Sequence, residues 1–141
     1  DQPSTLEYLP AQIQAWEREI LGISLGEHPL LPFRGVLSRI GAVSSKDLEL
    51  LPDGSRVKIA GIAINSRRQT TKKKEQMLFL LLEDMEGLFE VILFPRTYQQ
   101  YATRLDYTGM LITGKLSMEE KEIKIIAQEI TPLKELASRP Q

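Results

Sequence analysis

The chain has 141 residues, 42% of them hydrophobic and 26% charged, with a formal net charge of -1. That length and apolar share provide for one domain with a real core, so disorder is not the default, and the near-zero charge means that affinity for a polyanion must come from a local basic patch. Cysteine is absent, which removes disulfides, thiolate nucleophiles and thiolate zinc sites and fits a cytoplasmic protein.

The start, Asp1-Gln2-Pro3-Ser4, has neither the basic and apolar regions of a signal peptide nor an initiator Met, so a piece of a longer protein is expected. Pro10 opens a helix in which Ile13, Trp16, Ile20 and Leu21 recur at helical spacing until Gly22 caps it. A stripe at this spacing reads as core before it reads as a partner-binding face. Gly22, Gly26, Pro29, Pro32, Gly35 and Gly41 break up any long element after it, which predicts a connector laid over something. A second short helix is expected with Ser45 as its cap and Leu48 and Leu51 buried, ended by the turn Pro52-Asp53-Gly54. Residues 1–54 thus form a helical lead-in.

From Arg56 the period changes. Val57, Ile59, Ile62 and Ile64 read as a strand bent near Gly61, and after the polar run Thr70 to Glu75 a second strand, Met77 to Glu83, is apolar on both faces. Its longest apolar stretch, Leu78 to Leu82, is too short to span a bilayer, and no membrane is expected as a partner. Asp84 to Gly87 turns the chain into a third strand, Leu88 to Phe94. Pro95 opens a helical stretch through Leu105 with Tyr98, Ala102 and Leu105 on one side. Strands at Met110 to Ser117 and Ile123 to Ile130 follow, joined by the charged turn Glu119-Glu120-Lys121. The order β-β-β-α-β-β is that of the mainly-β, five-stranded OB barrel, whose strand 2–3 face and hairpin loops bind oligonucleotides. The barrel is expected over residues 55–132, with 133–141 as a tail.

Charge is segregated along the first hairpin. Arg56, Lys58, Arg67, Arg68, Lys72, Lys73 and Lys74 fall in a stretch with no Asp or Glu, and four of them (Arg68 and Lys72 to Lys74) lie where an OB barrel meets phosphates. If Leu78, Leu80 and Leu82 fill the barrel, Met77, Phe79 and Leu81 point outward, and an outward Phe supplies a stacking platform for bases. The structural alternative makes the lysines a solvated hairpin tip and Phe79 a core residue. Lys115, Lys121 and Lys124 extend the track from the other hairpin, among Glu119, Glu120 and Glu122.

Enzymatic signatures are lacking. Glu83 and Asp84 are adjacent on a strand and point to opposite faces, so they do not form a metal-binding pair, and Asp84 reads as a turn opener. His28 precedes Pro29 without a nucleophile beside it and reads as a packing or hydrogen-bonding residue. There is no Walker loop and no dinucleotide glycine fingerprint. No catalytic residue, metal or cofactor is expected.

The segment Glu17-Arg18-Glu19-Ile20-Leu21-Gly22, followed by His28-Pro29-Leu30, resembles the block that precedes the OB domain in the alpha subunit of bacterial DNA polymerase III. In the barrel, Val57-Lys58-Ile59-Ala60-Gly61, Arg67-Arg68, Thr71-Lys72-Lys73, Met77, Phe79, Leu82-Glu83-Asp84, Gly87, Glu90-Val91, Phe94-Pro95, Tyr98, Ile126-Ala127 and Glu129-Ile130 are similar to that family's OB pattern. The barrel pattern is shared with anticodon-binding domains of class II aminoacyl-tRNA synthetases; the leading block points to the polymerase. The resemblance implies a C-terminal, non-catalytic domain that binds single-stranded template DNA ahead of the active site. The residues of DNA-directed polymerisation would then lie elsewhere in the parent. Binding residues carried over are Arg67, Arg68, Lys72, Lys73, Lys74, Met77 and Phe79. Partners implied are single-stranded DNA and, through the parent, other replisome subunits, with the isolated domain a monomer. Two departures stand out. Gly26-Glu27 replaces the family's Ser or Thr followed by Gly, and Lys74-Glu75 replaces the Gly after its lysines, which predicts a more open loop. A protein-interaction OB module and an anticodon-type RNA binder are the competing functions.

Overall fold

The computed structural model describes residues 28–137, so the predicted helix after Pro10, with Trp16, and the Glu17 to Gly22 block lie outside the described residues. Five strands, β1 (Arg56–Thr70), β2 (Gln76–Glu83), β3 (Leu88–Leu93), β4 (Met110–Glu119) and β5 (Glu122–Pro132), close into a barrel in the order β1-β2-β3-β5-β4. Every pair is antiparallel except β3 with β5. Between β3 and β4 the chain forms α2 (Pro95–Tyr101) and a 3-10 turn, Ala102–Arg104. Tyr98, Tyr101 and Leu105 of this segment pack against the core. Ala102, expected on that face, is exposed, because the switch to 3-10 winding rotates it outward and puts Tyr101 in its place.

Strict alternation builds the interior. In β2, Leu78, Leu80 and Leu82 are buried, while Met77, Phe79 and Leu81 are half-buried on the outside. Ile59, Val91, Leu93, Ile112, Leu116, Ile125 and Ile130 complete the fill from the other strands. Register breaks between Ala63 and Asn65, where one extra residue swaps which face each later side chain occupies. Gly61 serves a close approach: a Cβ there would come within 2.9 Å of the Phe89 ring.

The barrel has a covered back. Ala60, Ile62 and Leu111 face outward from β1 and β4 and are buried under Leu30, Phe33, Leu37, Ile40 and Ala42 of the lead-in. The connector is therefore laid over the outer wall of the barrel. It contains a 3-10 turn, Leu31–Phe33, and α1 (Arg34–Arg39), a helix too short for the glycine and proline spacing to reveal. Val43 then bridges to Ile59 in parallel, its N–H donating to the Lys58 carbonyl at 2.7 Å. Beyond β5, α3 (Leu133–Ala137) brings Leu133 and Leu136 to the same cover.

The second short helix is a 3-10 helix, Ser45–Leu50, and its cap is Ser44 in a capping box with Asp47, one residue before the expected Ser45. Ser45 is occupied elsewhere. Its N–H and hydroxyl both donate to the Asp84 carboxylate, at 2.7 and 2.8 Å, and the N–H groups of Glu86 and Gly87 donate to Asp84 Oδ1 at 2.9 and 3.0 Å. Asp84 is the one buried charged side chain among the described residues, and these four donors are what make its burial tolerable. His28, read as a hydrogen-bonding residue, accepts the Leu30 N–H on Nδ1 at 3.1 Å, with Nε2 4.0 Å from Glu83 Oε1.

Candidate nucleic-acid interface

The face of the barrel away from the lead-in is where the register gathers the outward side chains of β1, β2, β3 and β5. Antiparallel partners share a face, so one transverse row runs Arg67, Phe79, Ile92, and continues through Ile126 to Lys115 and Arg56. The row beside it runs Asn65, Leu81, Glu90, Lys124, Ser117. Phe79, Leu81, Ile92 and Ile126 are half-buried, forming an apolar floor with cations at its margins.

The Arg67 guanidinium lies 4.5 Å from the centroid of the Phe79 ring and donates to Gln69 Oε1 at 3.2 Å. A surface cation–π pair of this kind contributes about 0.5–1 kcal/mol. A cleft of about 220 Å³ opens next to this pair, lined by Asn65, Ser66, Arg67, Phe79, Leu81, Glu90 and Lys124 among others. Lys124 sits between two carboxylates, 3.7 Å from Glu90 and 3.5 Å from Glu122.

The sequence-predicted residues separate into groups. Met77 pairs with Gln69 and shares the outer face with Phe79 and Arg67. Arg68 pairs with the barrel-facing Leu78, so its exposed side chain leaves the hairpin from the opposite face. Lys72, Lys73 and Lys74 are exposed at the tip. Hydrogen bonds cross the tip: the Thr71 N–H donates to the Glu75 carbonyl at 2.7 Å, the Lys74 N–H to the Thr71 carbonyl at 2.9 Å, and the Glu75 N–H to Thr71 Oγ1 at 3.1 Å. Lys74 takes φ +66, the left-handed conformation of a three-residue hairpin loop, which explains why a glycine suits this position. Lys121, at φ +68, forms the tip of the β4–β5 hairpin with Glu120 at φ +51. Sequence reasoning missed Asn65, Ile92, Glu90 and Ile126, because only strand register brings them beside Phe79. Among the described residues no cluster of His, Asp or Glu could hold a metal ion, and no helix is long and apolar enough to cross a membrane.

A closed barrel of this order with a basic hairpin and an apolar outer floor defines an oligonucleotide-binding fold. Residues 57–133 match the family described as OB-fold nucleic acid binding domain, and the chain belongs to that family. Its curated relatives are DNA polymerase III alpha subunits. That of Pasteurella multocida is 30% identical over 139 residues, covering 96% of this chain and 12% of the relative. That of Mycobacterium tuberculosis H37Rv is 31% identical over 123 residues, covering 83% and 10%, and that of Escherichia coli K12 is 28% identical, covering 96% and 13%. The chain spans about one eighth of the length of these relatives. Among solved structures, RecG bound to a three-way DNA junction is 19% identical with a TM-score of 0.51, covering 64% of this chain and 12% of RecG. Asparaginyl-tRNA synthetase from Pyrococcus horikoshii is 16% identical with a TM-score of 0.50, covering 67% and 23%. Both likenesses concern the fold alone.

Proposed function

We propose that the domain holds single-stranded DNA across the outer face of β2 and β3, as the OB part of a DNA polymerase III alpha subunit that keeps the template strand near the polymerase during replication. Polymerisation residues and contacts with other replisome subunits belong to the parent protein, and this domain contributes binding as a monomeric unit. The observation that carries the reading is the Arg67–Phe79 pair, a planar cation held over an aromatic ring at the edge of an open cleft. Bases stack on aromatic faces and guanidinium planes without regard to sequence, contributing about 1–3 kcal/mol per aromatic, while neighbouring cations hold the phosphates. Met77 extends the apolar floor. Lys72, Lys73 and Lys74 meet the backbone where it leaves the face, and Arg68 adds charge from the other side of the hairpin.

The test is titration of a fluorescent oligo-dT into the domain at low and at physiological salt, beside a Lys72→Ala/Lys73→Ala/Phe79→Ala variant. Salt-sensitive binding that the variant loses supports the reading. Absence of binding at low salt by a folded domain overturns it and favours a protein-interaction role.

A further inference from the structure

Sequence-neutral binding leaves one residue of the proposed interface without a role. Glu90 lies in the middle of the floor, between Leu81 and Lys124 in its transverse row, and it is the one carboxylate among the described residues lining the cleft. Its side chain is 56% exposed. The carboxylate is a hydrogen-bond acceptor only, so phosphate oxygens gain nothing from it, and a base edge that carries an N–H donor is the part of the strand it can hold. Phe79 pairs with Ile92, and Glu90 is two residues from Ile92 on the same strand, which makes Phe79 and Glu90 diagonal neighbours with Cα atoms about 7–8 Å apart. A base stacked on Phe79 can therefore turn its pairing edge toward the Glu90 carboxylate.

We infer that Glu90 reads that edge and makes the interface prefer cytosine to thymine; the inference rests on the single-strand reading above. Cytosine presents an exocyclic amine that donates to a carboxylate, the pairing expected for acidic side chains. Thymine presents two carbonyl oxygens flanking its single N–H, and these repel a carboxylate. The two bases are similar in size, so stacking on Phe79 separates them little, and the charge on Glu90 makes the difference. Lys124, 3.7 Å away, holds the Glu90 carboxylate in place.

The experiment compares oligo-dC and oligo-dT of equal length by fluorescence anisotropy above neutral pH, where cytosine is unprotonated, for the full chain and for Glu90→Gln, Glu90→Ala and Phe79→Ala. The expected preference for dC is about fivefold to tenfold, the size of a charge-assisted hydrogen bond at a partly exposed site. Glu90→Gln and Glu90→Ala bring the ratio toward one, chiefly by raising affinity for dT, and leave the circular dichroism spectrum unchanged because the side chain is exposed. A ratio near one for the unaltered chain, or a preference that survives both Glu90 variants, overturns the inference. If Phe79→Ala still abolishes binding in those cases, the single-strand interface stands without it. If neither oligomer binds the unaltered chain at low salt, both fall together.

Discussion

Ser45 and Asp84 are 39 positions apart in sequence and joined twice, the carboxylate accepting the Ser45 N–H at 2.7 Å and its hydroxyl at 2.8 Å. The contact locks the 3-10 helix of the lead-in onto the β2–β3 turn. Asp84→Ala leaves four donors without their acceptor, and a loss of about 3 kcal/mol is expected from removing charged hydrogen bonds at a buried site. Ser45→Ala, which removes one of them, costs about 1 kcal/mol. Urea unfolding followed by circular dichroism measures both; equal losses for the two variants contradict the assignment of Asp84 as the shared acceptor.

Lys74→Gly is expected to stabilise the domain by about 1 kcal/mol, since it relieves a side chain held at φ +66. Glu120→Asn with Lys121→Gly acts in the same way at the other hairpin, where both residues have positive φ, as in the two-residue turns that favour Asn-Gly. The melting temperatures of the two variants should both rise. An unchanged or lower value for Lys74→Gly means that its side chain makes a compensating contact.

Arg67 and Arg68 should differ sharply although they are adjacent. Arg67→Lys retains the charge and loses the planar stack on Phe79, and single-strand affinity is expected to fall about tenfold. Arg68→Ala removes a full charge from the opposite face of the hairpin and is expected to change affinity about twofold. Anisotropy titration of both variants against oligo-dT decides; comparable losses mean that the strand contacts both faces.

Lys72→Ala/Lys73→Ala is expected to act on salt dependence more than on stacking. Each lysine that no longer neutralises a phosphate lowers the slope of log K against log salt by about 0.7 for a single strand, so a reduction of about 1.4 is anticipated for the pair. Titrations at several salt concentrations give the slope directly, and an unaltered slope places the phosphates away from the tip.

The barrel is legible in the sequence because alternation is local: Leu78, Leu80 and Leu82 against Met77, Phe79 and Leu81 assign two faces within the eight residues of β2. The basic tip is equally plain. What escapes depends on distant partners. The extra residue between Ala63 and Asn65 shows only in the pairing with Leu81 and Leu82. Ser45 has the character of a cap, but Asp84 claims its hydrogen bonds and leaves Ser44 the capping role. Glu90 and Ile92 join Phe79 only through β2–β3 register, which no local motif encodes.

The extra residue in β1 also divides that strand by tolerance to change. Just before it, from Ile59 to Ala63, the outward positions Ala60 and Ile62 are sealed beneath the lead-in and both sides of the strand are buried; after it, Asn65, Arg67 and Gln69 look into the open. A saturation scan along β1 should therefore show an abrupt border at Ile64, with substitutions from Ile59 to Ala63 failing in protein yield and those downstream failing, if at all, in ligand capture. One continuous strand would then accumulate two unrelated kinds of variation, so drift in what the domain binds need not disturb how it is built.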